Sequence, residues 1–144
     1  MSMRLYAKRE INRPAPEVAA FFFDAANNSK WQEGMRRCEW ETDEPIRVGS
    51  RYRQEASFLG RPVVARFEVI EYTPARSITI DTIEGTFPIT VTRTVEALDD
   101  QRSVVTAEIE GGPGGLMRLL APITRWIAQR SVDADYNRLV DLLG

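Results

Sequence analysis

Arg93 stands where an apolar residue belongs. In residues 87–95 the odd positions Phe87, Ile89, Val91, Arg93 and Val95 share one face, against Thr90, Thr92 and Thr94 on the other. A guanidinium on an inward face needs a carboxylate, an anionic ligand or water, because an unpaired buried charge is expensive. Its planar fork could hold a carboxylate or an enolate oxygen through two parallel bonds. The structural alternative is an internal pair with Asp133 or Asp135, or escape to solvent at a strand end. Tyr52 and Gln54 share the inward parity of another strand-like segment. They offer a hydroxyl and an amide to orient a ligand, as apolar pockets require, although tyrosine at this spacing is also ordinary core. Phe58, Phe67 and Phe87 are pocket wall if a cavity exists and core otherwise. Trp31, just beyond a short helical stretch, either lines a mouth or closes the core. Ile123 and Ile127 fall on the apolar stripe of the last helical segment and complete the candidate ligand-binding set.

What is missing narrows the chemistry. The chain has no histidine and one cysteine, Cys38. A histidine-based nucleophile system, histidine zinc sites and the two-histidine iron site are therefore excluded. We expect no metal and no cofactor. Acid–base work would fall to Asp, Glu, Lys, Tyr, Cys or water. No intrachain disulfide can form, and no sequence neighbour clearly lowers the Cys38 pKa. The glycine run at 111–115 lacks the spacing of a phosphate loop. Nineteen basic and 21 acidic side chains give a formal charge of −2. That balance supplies no net pull toward nucleic acid or an anionic membrane, although a local patch stays open. No apolar run approaches the ~20 residues that span a bilayer, so stable membrane insertion is not expected. Met1 to Arg4 leads directly into an alternating segment without a signal-peptide core. The expected location is cytoplasmic, and a homodimer is left open.

The elements that must position these residues follow from the period of the pattern. Residues 3–12 alternate as a strand, and Pro14 and Pro16 then open a helical stretch carrying Val18, Phe21 and Phe22. A second helical turn holds Trp31 and ends at Gly34. Alternation returns in residues 36–42, 50–58, 63–71, 78–82, 87–95 and 105–109, with hairpin signals between them. Residues 113–143 read as one long amphipathic helix. Leu116, Leu120, Ile123 and Ile127 form one stripe, and Val132, Tyr136, Leu139 and Leu143 a second. Pro122 marks a kink or the true helix start. The whole, residues 1–144, reads as a single α+β domain. A curved antiparallel sheet of about seven strands surrounds a long C-terminal helix, and two short helices follow strand 1. The last helix is the element expected to cover the sheet, with a space left between them.

In this order of elements the chain resembles the START-like, helix-grip superfamily, also called SRPBCC, and within it the polyketide cyclase/dehydrase-like group. Three stretches carry the resemblance. They are Ile11-Asn12-Arg13-Pro14-Ala15-Pro16-Glu17-Val18 with Phe21 and Trp31; Val48-Gly49-Ser50-Arg51-Tyr52; and Leu119-Leu120-Ala121-Pro122 through Asp135-Tyr136-Asn137-Arg138-Leu139. The resemblance implies a pocket between sheet and helix, opening near Trp31 and the glycine run. The expected function is binding of a hydrophobic or aromatic small molecule. The alternatives are a metal-independent polyketide cyclase or dehydratase, with Arg93 and Tyr52 acting on the substrate, and a lipid- or partner-docking module.

Overall fold

A computed structural model describes residues 3–58, 60–85, 88–111 and 121–144. The chain begins with β1 (Met3–Ile11), followed by α1 (Ala15–Phe22), a 3₁₀ turn (Ala25–Asn27) and α2 (Asn28–Trp31). Six strands come next: β2 (Met35–Trp40), β3 (Arg51–Phe58), β4 (Arg61–Thr73), β5 (Ser77–Glu84), β6 (Ile89–Ala97) and β7 (Ser103–Gly111). The last element is α3 (Ala121–Leu143). The strands form one antiparallel sheet in the order β1-β7-β6-β5-β4-β3-β2. Every neighbouring pair except β1–β7 is consecutive in sequence, as short polar turns between alternating segments require. The register shifts once in β2, once in β4 and once in β5. Each shift adds a residue to one strand and bends it, which curves the sheet.

Alternation decides the two faces. Leu5, Ala7, Tyr52, Phe67, Val69, Ile78, Ile80, Val91, Val95, Val105 and Ala107 are buried on the concave side. The convex side carries ion pairs such as Arg66 with Glu41 and Glu84, and a hydroxyl contact between Thr79 and Thr92. Three pieces share the concave face, where the sequence pattern assigned the cover to the last helix alone. The α1 helix lies against β6 and β7, the 3₁₀ turn and α2 lie against β2, and α3 lies beside β1 and touches α2. The short helices can do this because Val18, Ala19 and Phe22 all turn inward and are buried.

The α3 helix runs along the free edge of β1 in the same direction as the strand. The Gln129 amide donates to the Tyr6 carbonyl at 2.8 Å and accepts from the Tyr6 N–H at 3.2 Å. Arg9 donates to Asn137 and pairs with Asp133 further along, and the Asn12 N–H donates to the Gly144 carbonyl. One edge of the sheet is thereby satisfied by a helix instead of another strand. Pro122 is the second described residue of α3, so the choice between a kink and a helix start at this position lies at the limit of the described residues. The second apolar stripe is the buried one: Tyr136, Leu139 and Leu143 enter the core, with Val132 packed against it. Of the first stripe, Leu116 and Leu120 lie outside the described residues.

Candidate functional site

The inner end of the fold is an aromatic cluster built by three elements. Phe22 comes from α1, Trp31 from α2 and Tyr136 from α3. The ring centroids of Trp31 and Tyr136 are 5.0 Å apart, and Phe22 lies 6.0 Å from Trp31 and 5.9 Å from Tyr136. Arg93 reaches into this cluster from β6. Its guanidinium carbon is 4.9 Å from the Phe22 ring centre and 5.2 Å from that of Trp31, within cation–π range. Only 8% of Arg93 is exposed. Its Nη1 donates to the Phe22 carbonyl at 2.7 Å and to Asn28 Oδ1 at 3.1 Å.

Among the described residues no carboxylate pairs with Arg93. The internal partners offered by the sequence are engaged elsewhere, Asp133 with Arg9 and Asp135 with Arg138. The Nε of Arg93 and the Nε1 of Trp31 are both buried N–H donors without an acceptor. Each such orphan costs about 1–3 kcal/mol, so an oxygen that reached either donor would be favoured.

A void adjoins this place, lined by Phe23, Ala25, Asn28, Trp40, Tyr52, Ile78, Ile80, Val91 and Arg93. Its volume is about 10 Å³, room for roughly one water molecule. A dry cavity that takes benzene is nearer 150 Å³. Among the described residues this void between the sheet and the short helices is a niche of one-water size, and none of its lining residues comes from α3. Tyr52 is buried there, stacked on Phe67 at 5.1 Å and met edge-on by Trp40 at 5.3 Å. Gln54 is half-buried and opposite Cys38 in the β2–β3 register. Phe87 lies outside the described residues, as do the side chains of Phe58 and Ile123. Ile127 does not join the cluster and is 55% exposed. The five-residue step from Ile127 to Val132 turns about 140° around a helix, which carries Ile127 off the buried stripe.

The titratable groups around Arg93 are held neutral. Burial pushes the Cys38 thiol up to about 12, with the Arg93 charge opposing it. Burial likewise raises the phenols of Tyr52 and Tyr136 above their ordinary value, again opposed by Arg93. At neutral pH these groups stay protonated and do not remove protons, and the Cys38 sulfur accepts from the Asn28 amide. Asn28, Trp40 and Tyr136 were not singled out by sequence reasoning. Asn28 sits in a polar turn beside Asn27, and no pattern distinguishes the asparagine that is buried from the one that is not.

This arrangement, with one open β-strand edge closed by a terminal helix and a polar niche under short helices, has relatives. The family model for polyketide cyclase / dehydrase and lipid transport proteins matches residues 2–144. The chain belongs to this family. Its fold is the helix-grip fold of the START/SRPBCC superfamily. An aromatase/cyclase of Streptomyces sp. R1128, Zhui, is similar over 99% of this chain and 94% of its own, at 13% identity and a TM-score of 0.80. The TTHA0849 protein of Thermus thermophilus is similar over 96% and 94%, at 20% identity and a TM-score of 0.76. A START superfamily protein of Mycobacterium smegmatis covers 99% of both chains at 13% identity and a TM-score of 0.72. Identities this low establish shared fold. No curated protein matches the sequence significantly. The family's description, polyketide cyclase / dehydrase and lipid transport, suggests a fold that binds hydrophobic ligands.

Proposed function

We propose that the protein binds a small hydrophobic or aromatic molecule bearing a carbonyl, carboxylate or enolate oxygen. That oxygen takes the niche beside Arg93. The observation that supports this reading is the buried guanidinium without a carboxylate among the described residues, its own Nε unsatisfied and the unsatisfied Nε1 of Trp31 on the adjoining ring. A niche of one-water size admits the ligand's oxygen and not its body. Binding then requires the apolar side chains around it to move, at a cost that lowers affinity. Cys38, Tyr52 and Tyr136 stay protonated at neutral pH, which favours binding over a cyclisation begun by proton removal at these groups.

Native mass spectrometry of freshly purified protein tests for a retained ligand. Calorimetry with a panel of aromatic carboxylates and their neutral amides then tests the role of Arg93. Arg93→Ala is expected to reduce carboxylate affinity by tenfold or more and to leave the weak binding of the amides unchanged. Arg93→Lys, which keeps the charge but not the fork, is expected to fall between. Thermal melts of each variant separate loss of binding from loss of fold. Equal carboxylate affinity in a folded Arg93→Ala protein would remove the proposed role.

A further inference from the structure

The first described turns of α3 have a property that the ligand niche does not explain. Arg125, Trp126 and Ile127 are consecutive, and all three are exposed, Trp126 by 60% and Ile127 by 55%. Consecutive helical residues point about 100° apart. The three therefore sweep about 200° of the helix surface, and all of those directions stay exposed among the described residues. An exposed tryptophan beside an exposed isoleucine is an expensive arrangement in water. The Arg130 guanidinium lies 4.9 Å from the Trp126 ring centre, on the same side of the helix. Gln129 ties this part of α3 to Tyr6, whose side chain is also half exposed.

Charge is distributed unevenly in the same place. Residues 125–132 contain Arg125 and Arg130 and no Asp or Glu. Removing these two from the 19 basic side chains leaves 17 against 21 acidic ones in the rest of the chain. A locally cationic, apolar surface thus sits on a protein that is otherwise net negative.

We propose that this part of α3 docks the protein onto the surface of an anionic phospholipid bilayer. Trp126 and Ile127 would enter the headgroup boundary, where tryptophan is favoured. Arg125 and Arg130 would meet lipid phosphates with their apolar stems along the interface. No helix among the described residues is long and apolar enough to cross a membrane, so the helix lies on the bilayer. A second copy of the chain fits the patch less well. Across a two-fold interface the arginines would face the same arginines.

The test is flotation of the full chain with phosphatidylcholine vesicles, alone or mixed with phosphatidylglycerol, at low and high salt. The protein is expected to float with the anionic vesicles, to remain behind with the neutral ones, and to detach as salt rises. Arg125→Gln and Arg130→Gln should each weaken binding about fivefold. The Trp126→Ser, Ile127→Ser double variant should abolish binding while its melting temperature is kept, since both side chains are already exposed. Absence of flotation with phosphatidylglycerol vesicles at low salt would overturn the proposal. So would undiminished flotation of the double variant, or a dimer that the double variant dissolves while no vesicle binding is seen. None of these readouts depends on Arg93, so failure of the ligand reading and failure of the docking reading are separable.

Discussion

Gly34 closes the turn that places Trp31 on Arg93, and the structure sets the cost of changing it. Its φ is +81°, in the region that favours glycine. A Cβ there would lie 3.0 Å from the Ser57 carbonyl oxygen, a backbone atom of β3 that cannot step aside. The Gly34 carbonyl also accepts from the Ser57 N–H at 2.6 Å, so moving the turn away breaks a sheet-like contact. Helix α3 holds the same turn from the other side. Arg138 donates to the Trp31 carbonyl at 2.9 Å, and Asp135 accepts from the Glu33 N–H at 3.0 Å. Gly34→Ala therefore carries two penalties: about 1–2 kcal/mol for the left-handed backbone and a further 1–3 kcal/mol or so for forcing a methyl into filled space. Gly60 supplies the control. Its φ is +77°, nearly the same, but a Cβ there meets nothing within 4 Å. Gly60→Ala should lose only the backbone part. Urea unfolding of the two variants, with unchanged slopes, should place Gly34→Ala about 1–3 kcal/mol below Gly60→Ala. Equal losses, or a smaller loss at Gly34, would refute the contact and the turn's supposed rigidity with it.

Gln129→Ala removes both side-chain bonds to the β1 edge. Because Tyr6 can turn to water, the loss should be only about 1–2 kcal/mol, but the Tyr6 amide should exchange with solvent much faster, and unchanged exchange there would count against the edge closure. Cys38, buried and with its thiol raised to about 12, should resist alkylation by iodoacetamide at pH 8 in the folded protein and react once urea unfolds it. Fast labelling without unfolding would show that β2 is open at that position.

The strand pattern was legible because period-2 alternation is a local property. Arg93 betrayed its inward parity for the same reason, and Tyr52 and Phe67 did too. What Arg93 bonds to was not legible, since Phe22 and Asn28 reach it from elements about 70 residues away in sequence. The sequence offered Asp133 and Asp135 as partners on charge alone, whereas in space Arg9 and Arg138 are the arginines beside them. Ile127 looked like core because its spacing from Ile123 is helical. Only the register of Tyr136 against Trp31 decides which side of α3 turns inward, and that is a tertiary choice.

The hydrogen bonding of β1 to β7 has a consequence for biosynthesis. Ile11 pairs with Ser103 and Met3 with Gly111, so β1 has no mate until about a hundred further residues have been made. At roughly 5–20 residues per second that wait lasts on the order of 5–20 s, while the other six strands can zip up hairpin by hairpin. The nascent segment passes this interval with Arg4, Lys8 and Glu10 alternating along it, a charged fringe that discourages pairing with another chain's edge. Helix α3, made after all seven strands, then packs along β1 and holds it in place.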